Sequence, residues 1–329
     1  MGLLINGTWQ TTPRGSDAEA SLLAKDAPKL RNWVTPDGRS FTSEVGFAAE
    51  PNRYHLYISK ACPFAHRTII VHGLKALDGI VTVSEVGPTI RDKGWEFTDA
   101  YPDPVNNREY LHEVYTKSHA ELSSRVTVPV LWDRKLNTIV STDSGDIMRM
   151  FNSAFNQLTG NTLDLYPMGL RHEIDDLNAW LYSNINVGVY RAGFAKTTGS
   201  YRQASTTVFA ALDLLEERLS HSRYLLGDQP TESDWRLFTT LVRFDAVYHS
   251  LFKLNQALLA DYKNLSGYVR DLYQLETIGD TVDVTQIKQH YFTSFTSLNP
   301  SGLIPTGGQT DFSKPPYRAL PEGMEKHAC

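Results

Sequence analysis

The residues best suited to chemistry lie in the segment Cys62-Pro63-Phe64-Ala65-His66-Arg67. Residues 55–59 before it have the composition of a short strand, and an apolar stretch with helical spacing follows it. Pro63 then takes the first helical position, where its missing N–H costs nothing. A thiol at a helix N-terminus, near cations such as His66 and Arg67, has its pKa lowered to roughly 3.5–7.5. The pattern predicts a nucleophilic thiolate at neutral pH, and a buried packing cysteine is the alternative interpretation.

The segment carries one thiol only, because position 65 is alanine where a C-x-x-C motif has its second cysteine. Cys62 therefore cannot resolve its own adduct at that spacing, and an external thiol has to do so. The other cysteine of the chain is the terminal Cys329, so a structural disulfide framework is not expected.

Two residue pairs further along the chain are candidates for holding a thiol-bearing peptide. Val128-Pro129, if its peptide bond is cis, presents the N–H and C=O of Val128 to a peptide-like substrate. Asp143-Ser144 stands just before a predicted helix. That pair fits an ordinary N-cap, and it also fits a site where backbone N–H groups and the serine hydroxyl bind a substrate carboxylate.

The periodicity around these residues predicts a thioredoxin-like α/β layout. A strand, a helix and a parallel strand form a right-handed βαβ unit, and an antiparallel hairpin and a further helix follow. Strands are predicted at 55–59, 81–86, 126–132 and 138–141, with helices at 65–77 and 144–155. Residues 88–125 are polar and interrupt the pattern.

From about residue 168 the chain changes to amphipathic segments, which predict an all-helical region. The segments are 173–186, 205–219, 233–248, 254–260, 265–275 and 284–290. Thr231-Glu232-Ser233-Asp234 fits a capping box, so Asp234 is interpreted as a helix cap worth on the order of 1 kcal/mol rather than as a catalytic carboxylate.

A chain of 329 residues is longer than one hydrophobic core usually organises, which favours two domains. We expect an N-terminal extension over 1–52, wrapped over a domain, and a thioredoxin-like domain over 53–160. An all-helical domain is expected over 168–300, and a C-terminal tail over 301–329.

Composition excludes several function classes. Hydrophobic residues make up 41% of the chain and charged residues 21%, as in ordinary globular proteins. The net charge is -5 and no block of Lys or Arg occurs, so nucleic acid is not an expected partner. The N-terminus lacks the pattern of a secretory signal, and no apolar run approaches a membrane span. We therefore expect a cytoplasmic protein without a membrane partner.

These motifs together resemble a known family, the glutathionyl-hydroquinone reductases, which are the Xi class of glutathione transferases. The resemblance covers about residues 50 to 305. It rests on 62–67, Gly94-Trp95, 126–133, 186–194, Arg243-Phe244-Asp245, 287–294 and Asn299-Pro300.

The resemblance implies the glutathione transferase fold, in which an all-helical domain follows the thioredoxin-like domain. It implies reductive deglutathionylation of glutathionyl-hydroquinones through a mixed disulfide on Cys62, releasing hydroquinone and oxidised glutathione. Glutathione would be the co-substrate, no metal would be needed, and the protein would be a homodimer.

Roles for individual residues follow from the same resemblance. Cys62 would be the nucleophile, while glutathione would be held by Trp95, Val128 and Pro129 and, at its γ-glutamyl end, by Asp143 and Ser144. The quinol pocket would be lined by Phe64, Tyr190 and Tyr291. From the residues alone, the two tyrosines equally fit aromatic core positions on helices.

The sequence departs from the family pattern at two positions. Asp143 stands where the family has glutamate, which is expected to shorten the grip on the glutathione α-amino group. Phe295 stands where a histidine is expected after Tyr-x-x-Ser, which bears on quinol affinity and substrate identity.

Two alternative functions remain open from the residues. One is an omega-like thiol transferase, which deglutathionylates proteins or reduces dehydroascorbate with the same cysteine. The other is a non-catalytic glutathione or ligand carrier, which needs the pocket but not the thiol.

Overall fold

The computed structural model describes residues 2–11, 30–39, 46–308 and 310–316. The chain forms two compact units. The first comprises the described residues up to Leu163 together with Thr285–Ser294, and the second comprises Asp164–Val284 and the described residues from Phe295 onward. Cys329, parts of the N-terminal extension and the end of the C-terminal tail lie outside the described residues, so the expectations for them are not compared with the structure.

The first unit is built on a four-stranded sheet. Its elements are, in chain order, β5 (Tyr54–Ile58), α1 (Pro63–Leu74), β6 (Val81–Glu85), β8 (Val130–Asp133), β9 (Thr138–Ser141) and α3 (Ser144–Ser153). The strand order is β6-β5-β8-β9. β5 pairs with β6 in parallel and with β8 antiparallel, and β8 pairs antiparallel with β9. Helix α1 connects β5 to β6, and helix α3 follows β9, which confirms the thioredoxin-like layout.

The strand predicted over 126–132 is too long at its N-terminal end, because β8 begins at Val130. Pro129 has no N–H to donate to the ladder, so pairing with β5 starts after it, at Tyr57↔Val130. The region 88–125, in which no element was predicted, contains helix α2 (Leu111–Ser118) and the two-residue strand β7 (Ser124–Arg125). A short helix, α4 (Asn156–Thr159), follows α3.

The described part of the N-terminal extension pairs with the first unit. Strand β1 (Leu3–Ile5) pairs antiparallel with β2 (Thr8–Gln10) and with β7, in the register Leu3↔Arg125. Leu3 and Leu4 are buried. Two further strands, β3 (Val34–Thr35) and β4 (Phe47–Ala48), form a small parallel pair. The extension thus adds strands to the unit that carries Cys62.

The second unit is helical, as predicted. Two segments expected to be continuous helices, 173–186 and 233–248, change to π-helical turns at Tyr182–Asn186 and Phe244–Tyr248. In the segment 254–260, the only regular element is the start of a 3-10 turn, Leu259–Asp261. The α-helices are α5 (Arg171–Leu181), α6 (Gly188–Gly193), α7 (Thr198–His221), α8 (Glu232–Leu241), α9 (His249–Leu251) and α10 (Lys263–Tyr273).

The last helix, α11 (Val284–Ser294), belongs almost entirely to the first unit. Its side chains bond to the loop after β6: Thr293 Oγ1 lies 3.0 Å from Thr89 Oγ1, and Ser294 Oγ accepts a 2.9 Å hydrogen bond from Ile90 N. The all-helical domain expected over 168–300 would have included this helix, whereas the compact units place nearly all of it in the first unit.

Within the described residues, no helix is long and apolar enough to cross a membrane.

Candidate active site

Cys62 is the N-cap residue of α1, with extended backbone angles (φ -81°, ψ 121°) and Pro63 directly after it. Its carbonyl accepts from His66 N at 2.9 Å, which closes the first helical turn, and its own N–H donates to Ser59 O at 3.0 Å. The residue is partly exposed. The strand–turn–helix placement predicted for Cys62 is therefore the one observed, with the thiol at the positive end of the helix dipole.

The two expected cationic neighbours of Cys62 are both buried within α1. His66 is 0% exposed and Arg67 1% exposed. The guanidinium carbon of Arg67 lies over the Phe64 ring, 4.7 Å from its centroid, in a cation–π arrangement. Arg67 thereby supports the half-buried Phe64, which was predicted to face the quinol.

Val128 faces Cys62 across the site. Its carbonyl oxygen lies 3.7 Å from Cys62 Sγ, and the Val128–Pro129 peptide bond is cis, as the peptide-binding interpretation required. Both residues are buried and precede the paired part of β8. The structure thus brings Cys62 and Val128 together, as the sequence predicted for a thiol site.

Trp95 is 5% exposed, and its ring is stacked on the imidazole of His290 from α11. The ring centroids are 5.0 Å apart and the planes differ by 9°. The backbone carbonyl of Trp95 accepts from Leu111 N at 3.0 Å, at the start of α2. Trp95 is consequently fixed from two directions, and one of its two partners, His290, had no role in the sequence-based expectations.

Asp143 is the N-cap of α3. Its Oδ1 accepts from Gly145 N at 2.9 Å and from Asp146 N at 3.0 Å, while Ser144 is buried at the first helical position. One carboxylate oxygen is therefore used in capping, the ordinary role of such a residue. The other oxygen, Oδ2, lies 3.8 Å from Nη2 of Arg31, a second residue that the sequence did not single out.

The two predicted pocket tyrosines belong to different units. Tyr291 lies in the first unit, 1% exposed, with its ring edge-on to His290 at 5.1 Å. Tyr190 lies in the second unit, partly exposed, edge-on to Phe252 at 5.4 Å and to Tyr248 at 6.1 Å. Each tyrosine packs within an aromatic group of its own unit, and their shared role in a quinol pocket stays a prediction.

Phe295, the departure from the family pattern, is buried in the second unit. Its ring is edge-on to Phe194 at 5.2 Å and tilted against Phe252 at 6.3 Å. The phenyl group thus completes an aromatic cluster that a histidine would have made more polar.

Within the described residues, no group of His, Cys, Asp and Glu side chains could hold a metal ion.

Asp234, the carboxylate of the second unit that the sequence analysis considered, is fully buried and caps α8 by accepting from Thr231 N at 2.7 Å. The capping interpretation of Asp234 is therefore confirmed.

Comparison with protein-family models matches two segments. Residues 61–154 match the glutathione S-transferase N-terminal domain, and residues 198–271 match the glutathione S-transferase C-terminal domain.

Relatives with assigned activities extend over nearly the whole chain. The chain is 45% identical over 320 residues to the glutathionyl-hydroquinone reductase YqjG of Escherichia coli, which covers 96% of this chain and 98% of the relative. It is 41% identical to the glutathionyl-hydroquinone reductase PcpF of Sphingobium chlorophenolicum, covering 93% of this chain and 96% of the relative.

Solved structures agree with these matches. The glutathione-bound structure of YqjG superposes with a TM-score of 0.89 at 43% identity, covering 96% of this chain and 99% of the other. A Xi-class transferase from Natrialba magadii superposes with a TM-score of 0.89 at 40% identity, covering 97% and 96% of the two chains.

Proposed function

The chain belongs to the glutathionyl-hydroquinone reductases of the glutathione transferase superfamily, and we propose that Cys62 performs the reductive deglutathionylation that defines them. The observation that carries the assignment of Cys62 is its place at the N-terminus of α1, with Sγ 3.7 Å from the carbonyl of Val128. A thiolate there is stabilised by the helix dipole and faces the backbone that would hold the glutathione peptide.

The first step is attack by the Cys62 thiolate on the sulfur of a glutathionyl-hydroquinone. A sulfur–sulfur bond forms between Cys62 and glutathione, and the carbon–sulfur bond to the ring breaks. The electron pair of that bond stays on the ring carbon, which takes a proton and leaves as hydroquinone. A carbanion leaves poorly without that proton, so a tyrosine phenol, at Tyr291 or Tyr190, is the proposed donor.

The second step regenerates the enzyme. The thiolate of a second glutathione attacks the glutathione sulfur of the mixed disulfide, and Cys62 leaves as a thiolate. The products are oxidised glutathione and the resting enzyme, so one glutathionyl-hydroquinone and one glutathione give one hydroquinone and one oxidised glutathione. The position of Ala65 supports this external route, since the segment has no second thiol to resolve the adduct.

Glutathione is the co-substrate, and its proposed binding residues all belong to the first unit, which also carries Cys62. Trp95 and the Val128–Pro129 backbone hold the peptide, and Asp143 and Ser144 at the start of α3 bind its γ-glutamyl end. Phe64, Tyr190 and Tyr291 are the proposed quinol contacts. A homodimer working in the cytoplasm completes the proposal.

The test compares Cys62→Ser, Cys62→Ala and Cys329→Ser with the unaltered protein. With glutathionyl-menadiol and glutathione under anaerobic conditions, we expect both Cys62 variants to release no menadiol or oxidised glutathione. A serine hydroxyl cannot sustain thiol–disulfide exchange, so substantial turnover by Cys62→Ser would refute the mechanism. Cys329→Ser is the matched control and should behave as the unaltered protein does.

A second substrate separates the reductase from an omega-like thiol transferase. We expect glutathionyl-menadiol to be turned over with a higher kcat/KM than the mixed disulfide of glutathione and β-mercaptoethanol. The reverse preference would favour the transferase. A carrier would bind glutathione equally well with and without the Cys62 thiol and would turn over neither substrate.

A further inference from the structure

A short segment of the N-terminal extension lies along the outer edge of β9. Asn32 N donates to Val140 O at 2.8 Å, and Thr142 N donates to Leu30 O at 3.0 Å. Between these two bonds, Arg31 forms an antiparallel bridge with Ser141. The pairing covers a strand edge and places Arg31 beside the first residues of α3.

The Arg31 guanidinium donates two hydrogen bonds to the Asp146 carboxylate. Nε lies 2.6 Å from Oδ2, and Nη2 lies 2.7 Å from Oδ1. This parallel two-bond geometry is the most specific form of an arginine–carboxylate pair. The hydrogen bond to Asp146 also raises the pKa of Arg31 above its ordinary value. Nη2 lies a further 3.8 Å from Asp143 Oδ2.

The Arg31–Asp146 ion pair bears on glutathione binding because two carboxylates lie at the start of α3. Asp143 is the N-cap and Asp146 the third helical residue, so two carboxylates stand where Ser144 offers its hydroxyl. The γ-glutamyl end of glutathione carries both an ammonium and a carboxylate group. Two uncompensated aspartates would attract the ammonium and repel the carboxylate, since like charges destabilise each other at short range. Arg31 compensates Asp146 through two hydrogen bonds, and its Nη2 also lies within ion-pair distance of Oδ2 of Asp143.

We propose that Arg31 is a positioning residue for glutathione, which compensates Asp146 and orients Asp143 so that the γ-glutamyl carboxylate can bind at Ser144. The inference rests on the proposed function, because it takes Asp143 and Ser144 as the glutamyl site. It gives the segment around Arg31 a part in co-substrate binding.

The first measurement is the affinity for S-methylglutathione by titration calorimetry, because this ligand cannot react with Cys62. We expect Arg31→Met to weaken binding about fivefold, as for the loss of a partly exposed ion pair, and Arg31→Lys to restore part of it. In turnover, KM for glutathione should rise with kcat unchanged within about twofold. Arg39→Met is the matched control, since Arg39 pairs with Asp37 in the same extension and its side chain is 84% exposed.

Two further measurements, with a double variant and with a ligand analogue, separate charge compensation from a general loss of structure. In the double variant Arg31→Met with Asp146→Asn, we expect affinity to recover, because no uncompensated carboxylate remains at Asp146. For the analogue whose glutamyl α-carboxylate is an amide, Arg31→Met should have little effect. Recovery of affinity in the double variant, together with an effect of Arg31→Met that requires the glutamyl carboxylate, would support the positioning role.

The opposite results overturn the proposal. Unchanged affinity in Arg31→Met, an equal loss in Arg39→Met, or a double variant no better than Arg31→Met would each do so. An equal loss for both ligands would show that Arg31 acts only on stability. If the unaltered protein did not bind S-methylglutathione, the glutathione site itself would be refuted, whereas a failure of Cys62→Ser to lose turnover refutes the reaction mechanism without touching Arg31.

Discussion

The indole of Trp95 and the imidazole of His290 lie face to face, 5.0 Å apart and within 9° of parallel. His290 is held in that position by Nδ1, which donates to Pro88 O at 2.7 Å. Because the carbonyl oxygen of Pro88 can only accept a hydrogen bond, Nδ1 of His290 must carry the proton. The position of Trp95, which is proposed to hold glutathione, therefore depends on α11, a helix whose His290 lies 202 residues after Pro88 in the chain.

Removing the imidazole should weaken glutathione binding. We expect His290→Ala to raise KM for glutathione by about two- to tenfold, as for the loss of an aromatic stack, with a smaller change in His290→Phe, which keeps a ring against Trp95. Steady-state kinetics at varied glutathione checks this. His172→Ala is the control, because the His172 side chain is 89% exposed and belongs to the second unit. Equal KM values for His290→Ala and His172→Ala would contradict the role of His290.

Ionisation of Cys62 should be visible in its reactivity. Because Cys62 is the N-cap residue of α1, we expect alkylation by iodoacetamide to be fast already near about pH 6, with one inflection well below the ordinary thiol value of about 8.5. Glutathione should protect the residue. After incubation with oxidised glutathione, mass spectrometry should find one adduct, on the peptide containing Cys62.

The control for this measurement is the other thiol of the chain. In Cys329→Ser the inflection and the adduct should both persist. An inflection at or above about 8.5, or an adduct on Cys329 alone, would show that Cys62 is not an activated nucleophile and would favour the carrier function.

Asp234 should matter for stability and not for turnover. Its carboxylate accepts from Leu225 N at 2.9 Å, Thr231 N at 2.7 Å and Tyr268 Oη at 2.9 Å, all buried. Asp234→Ala would leave these donors unsatisfied, so we expect the free energy of unfolding to fall by about 2–4 kcal/mol, more than a cap alone contributes. Urea denaturation measures this change.

The matched control for Asp234 is Asp261→Ala, which removes an exposed cap that accepts from Leu258 N at 2.8 Å. We expect it to cost about 1 kcal/mol or less. Turnover per folded molecule should stay unchanged in both variants. A large fall in kcat for Asp234→Ala at an unchanged melting temperature would instead make Asp234 a site residue.

Acid should destabilise the fold partly through His55. This residue is buried in β5, with its ring nitrogens 2.6 Å from Thr82 Oγ1 and 2.8 Å from Ser84 Oγ, and burial lowers its pKa to about 3. An unfolded histidine has a pKa of about 6.5, so between these values the unfolded chain binds more protons than the folded one. The His55 contribution is complete above about pH 6.5 and is lost as the pH falls toward 3, by up to about 1.4 kcal/mol per unit.

The measurement is the free energy of unfolding at several pH values between about 4 and 7. His55→Gln should show a smaller slope against pH than the unaltered protein. His172→Gln is the control, because the His172 side chain is 89% exposed, and its slope should be unchanged. An identical slope in all three proteins would show that His55 does not carry the effect.

Local features of the site were predictable from the sequence, because they depend on neighbouring residues. The change from strand to helical periodicity at Cys62, with Pro63 after it, was enough to place the thiol at the start of α1. The capping box at Asp234 was predictable for the same reason. Helix α2 was missed because only three of its residues, Leu111, Val114 and Tyr115, are buried among polar ones.

Contacts between distant segments could not be predicted. Arg31 and Asp146 are 115 residues apart, and His290 and Pro88 are 202 residues apart. Neither pair belongs to a periodic pattern, and an arginine or a histidine is common on any surface. The π-helical turns were also missed, because Val187 N bonds to Tyr182 O, five residues earlier, without any break in the apolar spacing.

The return of α11 to the first unit has a consequence for how the protein matures on the ribosome. Trp95 and the strands around Cys62 leave the exit tunnel early, whereas the residue stacked on Trp95 is synthesised 202 residues after Pro88. A nascent chain halted before Val284 would contain every residue proposed to contact glutathione, yet its Trp95 would lack the helix whose His290 stacks on it. Translation must pass His290 before the stacked pair at the proposed glutathione site can form.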